Sequence, residues 1–384
     1  MITPTATNTQ IPTRASTPIV EYQALPIETG LPPTTRLEGA LVVRAFYSDT
    51  PGIDTGVKSY LLDLQTMQEQ LLVDDYYHAL PNYANFLVSP DRTRLAYTVG
   101  GSAGDQLKIV TADEQPQLVV DLPPADVAWQ VVGWLDDQRL LLSEAYRNDG
   151  VLSMVDVNTG EMQEILPSFP VETDNGTLMG LDEDAQSYFV YYDPLLTRVV
   201  IFRYRDDTTS GTFELWDVQL KKTLWIKTSP NILLISRPVW SSDGAYFAFI
   251  LSPDNAVEKG GVLYLVDRDG HEMWSLGRAA PELSFSPDGK SLAMRWWKVK
   301  DNLYNPIAII EIASHKTTVY DLVDDHSIPN GQYSIWSPDS RYIALNEIIE
   351  DETNNRVIIF DIVNKRAFEL IRGVSVLGWM SSPK

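Results

Sequence analysis

One phrase recurs along the chain and restricts its fold more than any other feature. It consists of a short apolar strand, a turn of the Ser-Pro-Asp kind and a second apolar strand. The first clear copy is Phe86-Leu87-Val88-Ser89-Pro90-Asp91 before Arg94-Leu95-Ala96-Tyr97, and the second is Val239-Trp240-Ser241-Ser242-Asp243-Gly244 before Tyr246-Phe247-Ala248-Phe249. Phe285-Ser286-Pro287-Asp288-Gly289 precedes Ser291-Leu292-Ala293-Met294, and Ile335-Trp336-Ser337-Pro338-Asp339 precedes Tyr342-Ile343-Ala344-Leu345. Trp134-Leu135-Asp136-Asp137 and Tyr192-Asp193-Pro194 are weaker copies. Proline presets φ at the second turn position, and Asp and Gly suit the positions after it, so each copy predicts a hairpin.

A second marker supplies the count. After each hairpin comes an apolar strand with a polar residue near its end: Leu62-Asp63-Leu64, Val110-Thr111-Ala112, Val155-Asp156-Val157, Trp216-Asp217-Val218, Val266-Asp267-Arg268, Ile310-Glu311-Ile312 and Phe360-Asp361-Ile362. These seven are spaced by 48, 45, 61, 50, 44 and 50 residues. Turn residues usually follow, then a fourth strand, and four strands per unit of about 40–50 residues is the pattern of a propeller blade. The chain ends complement each other. Val376-Leu377-Gly378-Trp379-Met380 is a first strand with no successor, while residues 37–45, 58–64 and 70–73 are three strands with no predecessor. The expected fold is therefore all-β, a β-propeller of seven four-stranded blades over residues 37–384. A blade shared between the N- and C-terminal segments closes the ring and hides its edges. Six blades with one irregular pair is the alternative, because the 61-residue interval is loosely patterned. Trp134, Trp240, Trp336 and Trp379 recur once per blade and are expected in the core.

These turns, together with the Leu263-Tyr264-Leu265-Val266-Asp267 strand, resemble the TolB-type WD40-like β-propeller repeat family. The stretch from Pro238 to Glu272 matches best, and the resemblance covers nearly all of residues 37–384, with the second and third copies degenerate. It implies a propeller that serves as a protein-binding or periplasmic scaffold module. Similar repeats occur in prolyl oligopeptidase-like peptidases, where a separate hydrolase domain performs the chemistry; beside these repeats there is no room for one.

Composition narrows the partners. Lys plus Arg is 30 against 52 Asp plus Glu, a net charge of −22. That charge repels phosphate backbones and anionic headgroups, so neither nucleic acid nor a membrane surface is expected. No run approaches the ~18 consecutive apolar residues of a membrane-spanning helix. The chain has no cysteine, which excludes disulfides and thiolate chemistry, and its four histidines speak against a histidine-rich metal centre. The first 36 residues hold nine threonines and six of the 24 prolines, with no hydrophobic period. They are expected to form a disordered spacer. The expected location is extracytoplasmic, secreted or tethered to the cell surface, with Met1 standing where a signal segment was removed; a cytosolic tail is the alternative.

Candidate sites fall in the loops that join consecutive blades and those that join second to third strands. By the strand reading these loops share one face. Tyr76, Tyr77, His78 and Tyr83 lie in one such loop, and Trp296, Trp297 and Tyr304 in another. Exposed Trp and Tyr anchor protein interfaces and sugar clefts. Successive strand residues face opposite ways, so at least one of Trp296 and Trp297 is expected to pack between blades. Acidic clusters lie in the same set of loops: Asp74-Asp75, Asp182-Glu183-Asp184, Asp206-Asp207, Asp324-Asp325 and Glu350-Asp351-Glu352. Their ordinary role is solvated charge, but Asp182, Asp184, Asp324 and Asp325 also suit Ca²⁺, an oxygen-seeking cation, and calcium is the one cofactor entertained. Gly100-Gly101-Ser102-Ala103-Gly104 fits a nucleophile elbow but sits between two strands of one blade and reads as a loop. His271-Glu272 lacks the second ligand of a zinc helix and reads as a turn.

The expected function is a non-enzymatic propeller that binds a protein or glycan through this loop face. One alternative is a metal-assisted lyase or hydrolase at the axial channel, with His78 and His326 as the residues to watch. The other is a structural subunit of a surface assembly.

Overall fold

The computed structural model describes residues 19–32, 35–47, 56–75, 86–99, 104–111, 117–124, 129–144, 152–165, 186–205, 211–229, 233–234, 238–252, 261–296, 306–323, 334–348 and 355–381. Every regular element among them is a β-strand. In chain order they begin with β1 (Val20–Thr29), β2 (Ala40–Tyr47), β3 (Gly56–Asp63), β4 (Glu69–Asp75), β5 (Leu87–Val88), β6 (Arg94–Val99), β7 (Gln106–Thr111) and β8 (Gln117–Asp121). Next come β9 (Trp129–Trp134), β10 (Arg139–Glu144), β11 (Leu152–Asp156), β12 (Met162–Ile165), β13 (Gln186–Tyr192), β14 (Arg198–Arg205), β15 (Gly211–Asp217) and β16 (Lys222–Ser229). The series continues with β17 (Leu233–Leu234), β18 (Val239–Trp240), β19 (Tyr246–Ser252), β20 (Gly261–Asp267), β21 (Met273–Phe285), β22 (Ser291–Trp296), β23 (Ile307–Glu311) and β24 (Thr317–Val323). It ends with β25 (Ile335–Trp336), β26 (Tyr342–Ile348), β27 (Asn355–Asp361), β28 (Arg366–Arg372) and β29 (Ser375–Met380).

Four sheets are four-stranded: β29-β2-β3-β4, β5-β6-β7-β8, β12-β11-β10-β9 and β13-β14-β15-β16. The remaining strands form β22-β23-β24-β1-β28-β27-β26-β25 in one part of the chain and β17-β19-β20-β21, with β18 beside β19, in the other. The chain divides into two compact units. One comprises Val20–Arg147, Leu152–Ile165 and Glu282–Lys384; the other comprises Leu166–Pro281 with Met1–Ile19 and Asn148–Val151.

The recurring turn forms for a local reason. In each clear copy the serine hydroxyl donates to the aspartate two residues on, at 2.6 Å for Ser89–Asp91, Ser241–Asp243 and Ser286–Asp288 and 2.5 Å for Ser337–Asp339. The same hydroxyl accepts the amide that opens the next strand, from Arg94, Tyr246, Ser291 and Tyr342. Both weak copies are also turns. At Tyr192-Asp193-Pro194 the carboxylate of Asp193 replaces the serine and accepts the amides of Thr197 (2.7 Å) and Arg198 (2.8 Å). The third-strand marker is a turn cap: Asp63, Asp156, Asp217, Asp267 and Asp361 each accept a backbone amide of the hairpin that follows.

These caps make the turns sensitive to acid. Burial pushes the carboxyls of Asp91 and Asp288 up, but hydrogen bonds from Ser89 and Thr93, and from Ser286 and Lys290, outweigh it and hold both below the ordinary carboxylate range. Their stabilisation is complete above the unfolded value of about 3.9 and is lost as pH falls through the lower folded values. A melting series taken from about pH 6 to below about pH 3 should therefore be flat at first and then fall.

Second strands of the larger unit are buried on both faces, as in β22, where Leu292, Ala293, Met294 and Arg295 are all covered. One of its cores joins Leu41, Val43, Leu62, Tyr342, Ile359, Val376 and Trp379. The other unit has an aromatic core, with Phe213 stacked on Phe249 at 4.1 Å between centroids. Three of the recurring tryptophans tie neighbouring repeats together. Trp134 and Trp336 donate their indole N–H to the carbonyls of Leu87 (2.9 Å) and Ser284 (3.0 Å) on a neighbouring repeat. Within the other unit Trp240 reaches Tyr191 at 3.4 Å. Trp336 and Trp379 are fully buried, whereas Trp134 and Trp240 are half-buried.

The spacer reading needs correcting over Val20–Thr29. This segment is the ten-residue strand β1, which pairs in parallel first with β24 (Val20 to Pro26) and then with β28 (Ile27 to Thr29). Two outer strands offer unpaired backbone edges, and Leu25 and Ile27 pack on the core beneath. Backbone pairing supplies what the side-chain pattern lacks. Strands from both chain ends share one sheet: β29 lies antiparallel to β2, with Leu41 opposite Trp379. Gly39, at φ +95°, permits that junction, because a Cβ there would collide with the carbonyl oxygen of Met380.

Candidate functional site

Within each antiparallel sheet the first-to-second and third-to-fourth turns lie at one end, and the second-to-third connections leave from the other. The turn end is satisfied by its own caps. The loop end is where the sequence places its candidates, and most of them fall outside the described residues: Tyr76, Tyr77, His78, Tyr83, Trp297, Tyr304, Asp182, Asp184, Asp324, Asp325 and His326. Asp74 and Asp75, expected in a loop, are the last residues of β4, in register with Lys58 and Val57. Trp296 is the last residue of β22. It is half-buried, and its amide donates to the carbonyl of Pro306 at 2.7 Å, pinning both ends of the 297–305 connection.

Sequence reasoning missed a buried polar layer at this end. It is the fifth residue of the second strand in five repeats of the larger unit: Arg44, Thr98, Ser143, Arg295 and Asn346, all buried. Several of them reach the neighbouring repeat. The Asn346 side chain donates to the carbonyl of Val376 (2.9 Å) and accepts its amide (2.6 Å). The Thr98 hydroxyl donates to the carbonyl of Trp129 at 2.8 Å. Arg295 donates to the carbonyl of Asn346 at 3.2 Å, and the Arg44 guanidinium lies 5.6 Å from the centroid of the Phe86 ring. Beside Asn346 an ionic ladder crosses the strands: Glu347 to Arg356 at 2.5 Å, then Arg356 to Glu369 at 3.2 Å, with Arg372 gripping Glu369 through two nitrogens. The Arg372 fork, more than Arg356, holds the Glu369 carboxyl low against its burial. The available signal was a charged residue inside an apolar run, as in Val43-Arg44-Ala45 and Met294-Arg295-Trp296.

This layer fixes the ends of the strands from which the loops spring, and a rigid base of that kind suits a binding surface. Among the described residues no group of three or more His, Asp or Glu side chains is placed to hold a metal. His271 is an exposed turn residue 3.8 Å from Asp267, in keeping with its reading as a turn.

Solved structures share this arrangement. An oligogalacturonate lyase in complex with manganese aligns at 13% identity over 90% of this chain and 86% of its own, with a TM-score of 0.54. The fold is that of a β-propeller. The oligogalacturonate lyase of Vibrio parahaemolyticus aligns at 11% identity over 88% and 87% of the two chains, also at 0.54. A 6-phosphogluconolactonase-like protein of Bacteroides fragilis aligns at 12% identity over 92% and 100%, at 0.50. At these identities the likeness concerns the fold alone. No family model and no curated protein matches the sequence.

Proposed function

We propose that this chain is an extracytoplasmic propeller of seven blades, closed through the sheet made from both its ends, that binds a protein or glycan on its loop face. The observation that carries this reading is the contrast between the two ends of the sheets. The turn end is closed by short caps. The loop end rests on a buried polar layer, with Trp296 half-exposed at the end of β22, and the sequence reading puts Tyr76, Tyr77, His78, Tyr83, Trp297 and Tyr304 in connections on that side. A net charge of −22 favours basic or neutral partners over polyanions, and steering of a basic partner weakens with salt.

A second reading takes support from the manganese-bound lyase that shares the fold. In it His78 and His326, with neighbouring acidic residues such as Asp324 and Asp325, would hold a divalent cation, calcium or manganese, and the cation would bridge an acidic sugar to an acidic protein. One experiment separates the two readings. The chain is incubated with oligogalacturonate and with neutral glycans and basic proteins, with EDTA or with added Ca²⁺ or Mn²⁺, and both binding and release of unsaturated sugar are followed. The binding-module reading expects association without turnover, unaffected by EDTA. It also expects that Trp296→Ala keeps the parent melting temperature while binding falls at least about tenfold, the scale of an anchor residue. Metal-dependent release of unsaturated product would establish the lyase instead.

A further inference from the structure

At one seam of the turn end, a bond that two other turns make to the next repeat has no counterpart. In the larger unit the amide of the turn aspartate is taken up by the turn of the next repeat: Asp91 donates to Asp137 at 2.9 Å, and Asp288 to Ser340 Oγ at 3.1 Å. After the turn at Asp339 the neighbouring sheet is β29-β2-β3-β4, whose first two strands belong to opposite chain ends. That sheet has no first turn. The chain leaves at Ser381 and enters at Leu37, and among the described residues the Asp339 amide meets no such acceptor.

Two adjoining cavities open there, of about 320 and 260 Å³, and both are lined by Arg36, Arg341 and Tyr342. Arg36 is exposed and forms no ion pair among the described residues, although acidic groups outnumber basic ones by 52 to 30. Arg341 lies over the Tyr342 ring at 5.0 Å and leans on Asp361 at 3.3 Å, yet its Nε has no hydrogen-bond partner. A guanidinium fork matches a carboxylate, and two forks with a nearby amide form a pocket for one. Glu38 and Asp339 also line the larger cavity. They disfavour a dianion such as phosphate and can accept N–H groups next to a bound monoanion. Trp379 is buried, so no exposed ring is offered for a sugar to stack on.

We propose that the seam between the Asp339 turn and the meeting point of the chain ends binds the free C-terminal carboxylate of an extended peptide, with Arg36 and Arg341 as its ligands. This site lies at the opposite end of the sheets from the loop face and stands independently of it.

The test uses the full chain and a mixed-sequence peptide library prepared as free acids, as C-terminal amides, and as amides carrying one internal Asp, with inorganic phosphate as a further probe. Binding is read by calorimetry. The free acids should bind at least about tenfold more tightly than the amides, the worth of one charge-assisted pair. Arg36→Ala should remove that difference while leaving the melting temperature unchanged, since Arg36 holds nothing in place. Equal binding of acids and amides, or of neither, overturns the proposal, as does full binding by Arg36→Ala. Internal-Asp amides that match the free acids overturn the terminal assignment, and phosphate that competes as well as the acids overturns carboxylate selectivity.

Discussion

Replacing Trp379 by alanine should lower unfolding free energy by about 3–5 kcal/mol, the range for deleting a buried aromatic side chain. Trp379 is fully buried, sits in the core that joins β2, β26, β27 and β29, and donates its indole N–H to the carbonyl of Glu38 at 2.9 Å. It therefore ties the last strand of the chain to the segment that leads into β2. Trp379→Phe separates the two contributions: it keeps most of the packing and loses the hydrogen bond, which is worth about 1 kcal/mol. Urea unfolding of the three proteins reads both values. An alanine variant as stable as the parent would mean that the junction of the chain ends does not hold the sheet together.

Arg356→Ala should cost a similar amount, about 3–5 kcal/mol, for an electrostatic reason. Arg356 and Glu347 are both almost fully buried and lie opposite each other on β27 and β26. Removing the guanidinium leaves the Glu347 carboxylate without its ion-pair partner, and burial of an uncompensated charge dominates the loss. The double variant Glu347→Leu with Arg356→Met removes both charges and should return to within about 1–2 kcal/mol of the parent, because apolar replacements of buried pairs are often neutral or stabilising. A single variant as mild as the double one would show that water reaches the pair from the loop end.

Much of the architecture could be read from the sequence because the turn signals are local. Ser337, Pro338 and Asp339 specify their hairpin through bonds spanning five residues at most, and the same holds for Ser89 and Ser286. Even the degenerate Asp193 copy uses the same logic, with a carboxylate in place of a hydroxyl. The pairing of β29 with β2 was legible because each end of the chain lacked what the other supplied. β1 was not legible. Its apolar residues change phase, from Val20 and Tyr22 to Leu25 and Ile27, and what orders them is two distant sheet edges, at Thr317 and Ala367. The polar layer was missed for a related reason: Arg44, Thr98 and Asn346 look like unrelated interruptions of apolar runs until registration shows that they share one strand position. Of the aromatic loop-face candidates, Trp296 is the one within the described residues, and it stands half-buried at a strand end.

The most direct measurement compares capture of binding partners from an extracellular fraction by three proteins: the parent, a loop-face variant carrying Tyr76→Ala, Tyr77→Ala, Trp296→Ala and Trp297→Ala, and a turn-end variant carrying Arg36→Ala. All three are first shown to melt alike. The account predicts that the parent and the Arg36 variant retain a common, salt-sensitive partner and that the loop-face variant loses it. Retention of that partner by the loop-face variant would contradict the assignment of function to the loop face.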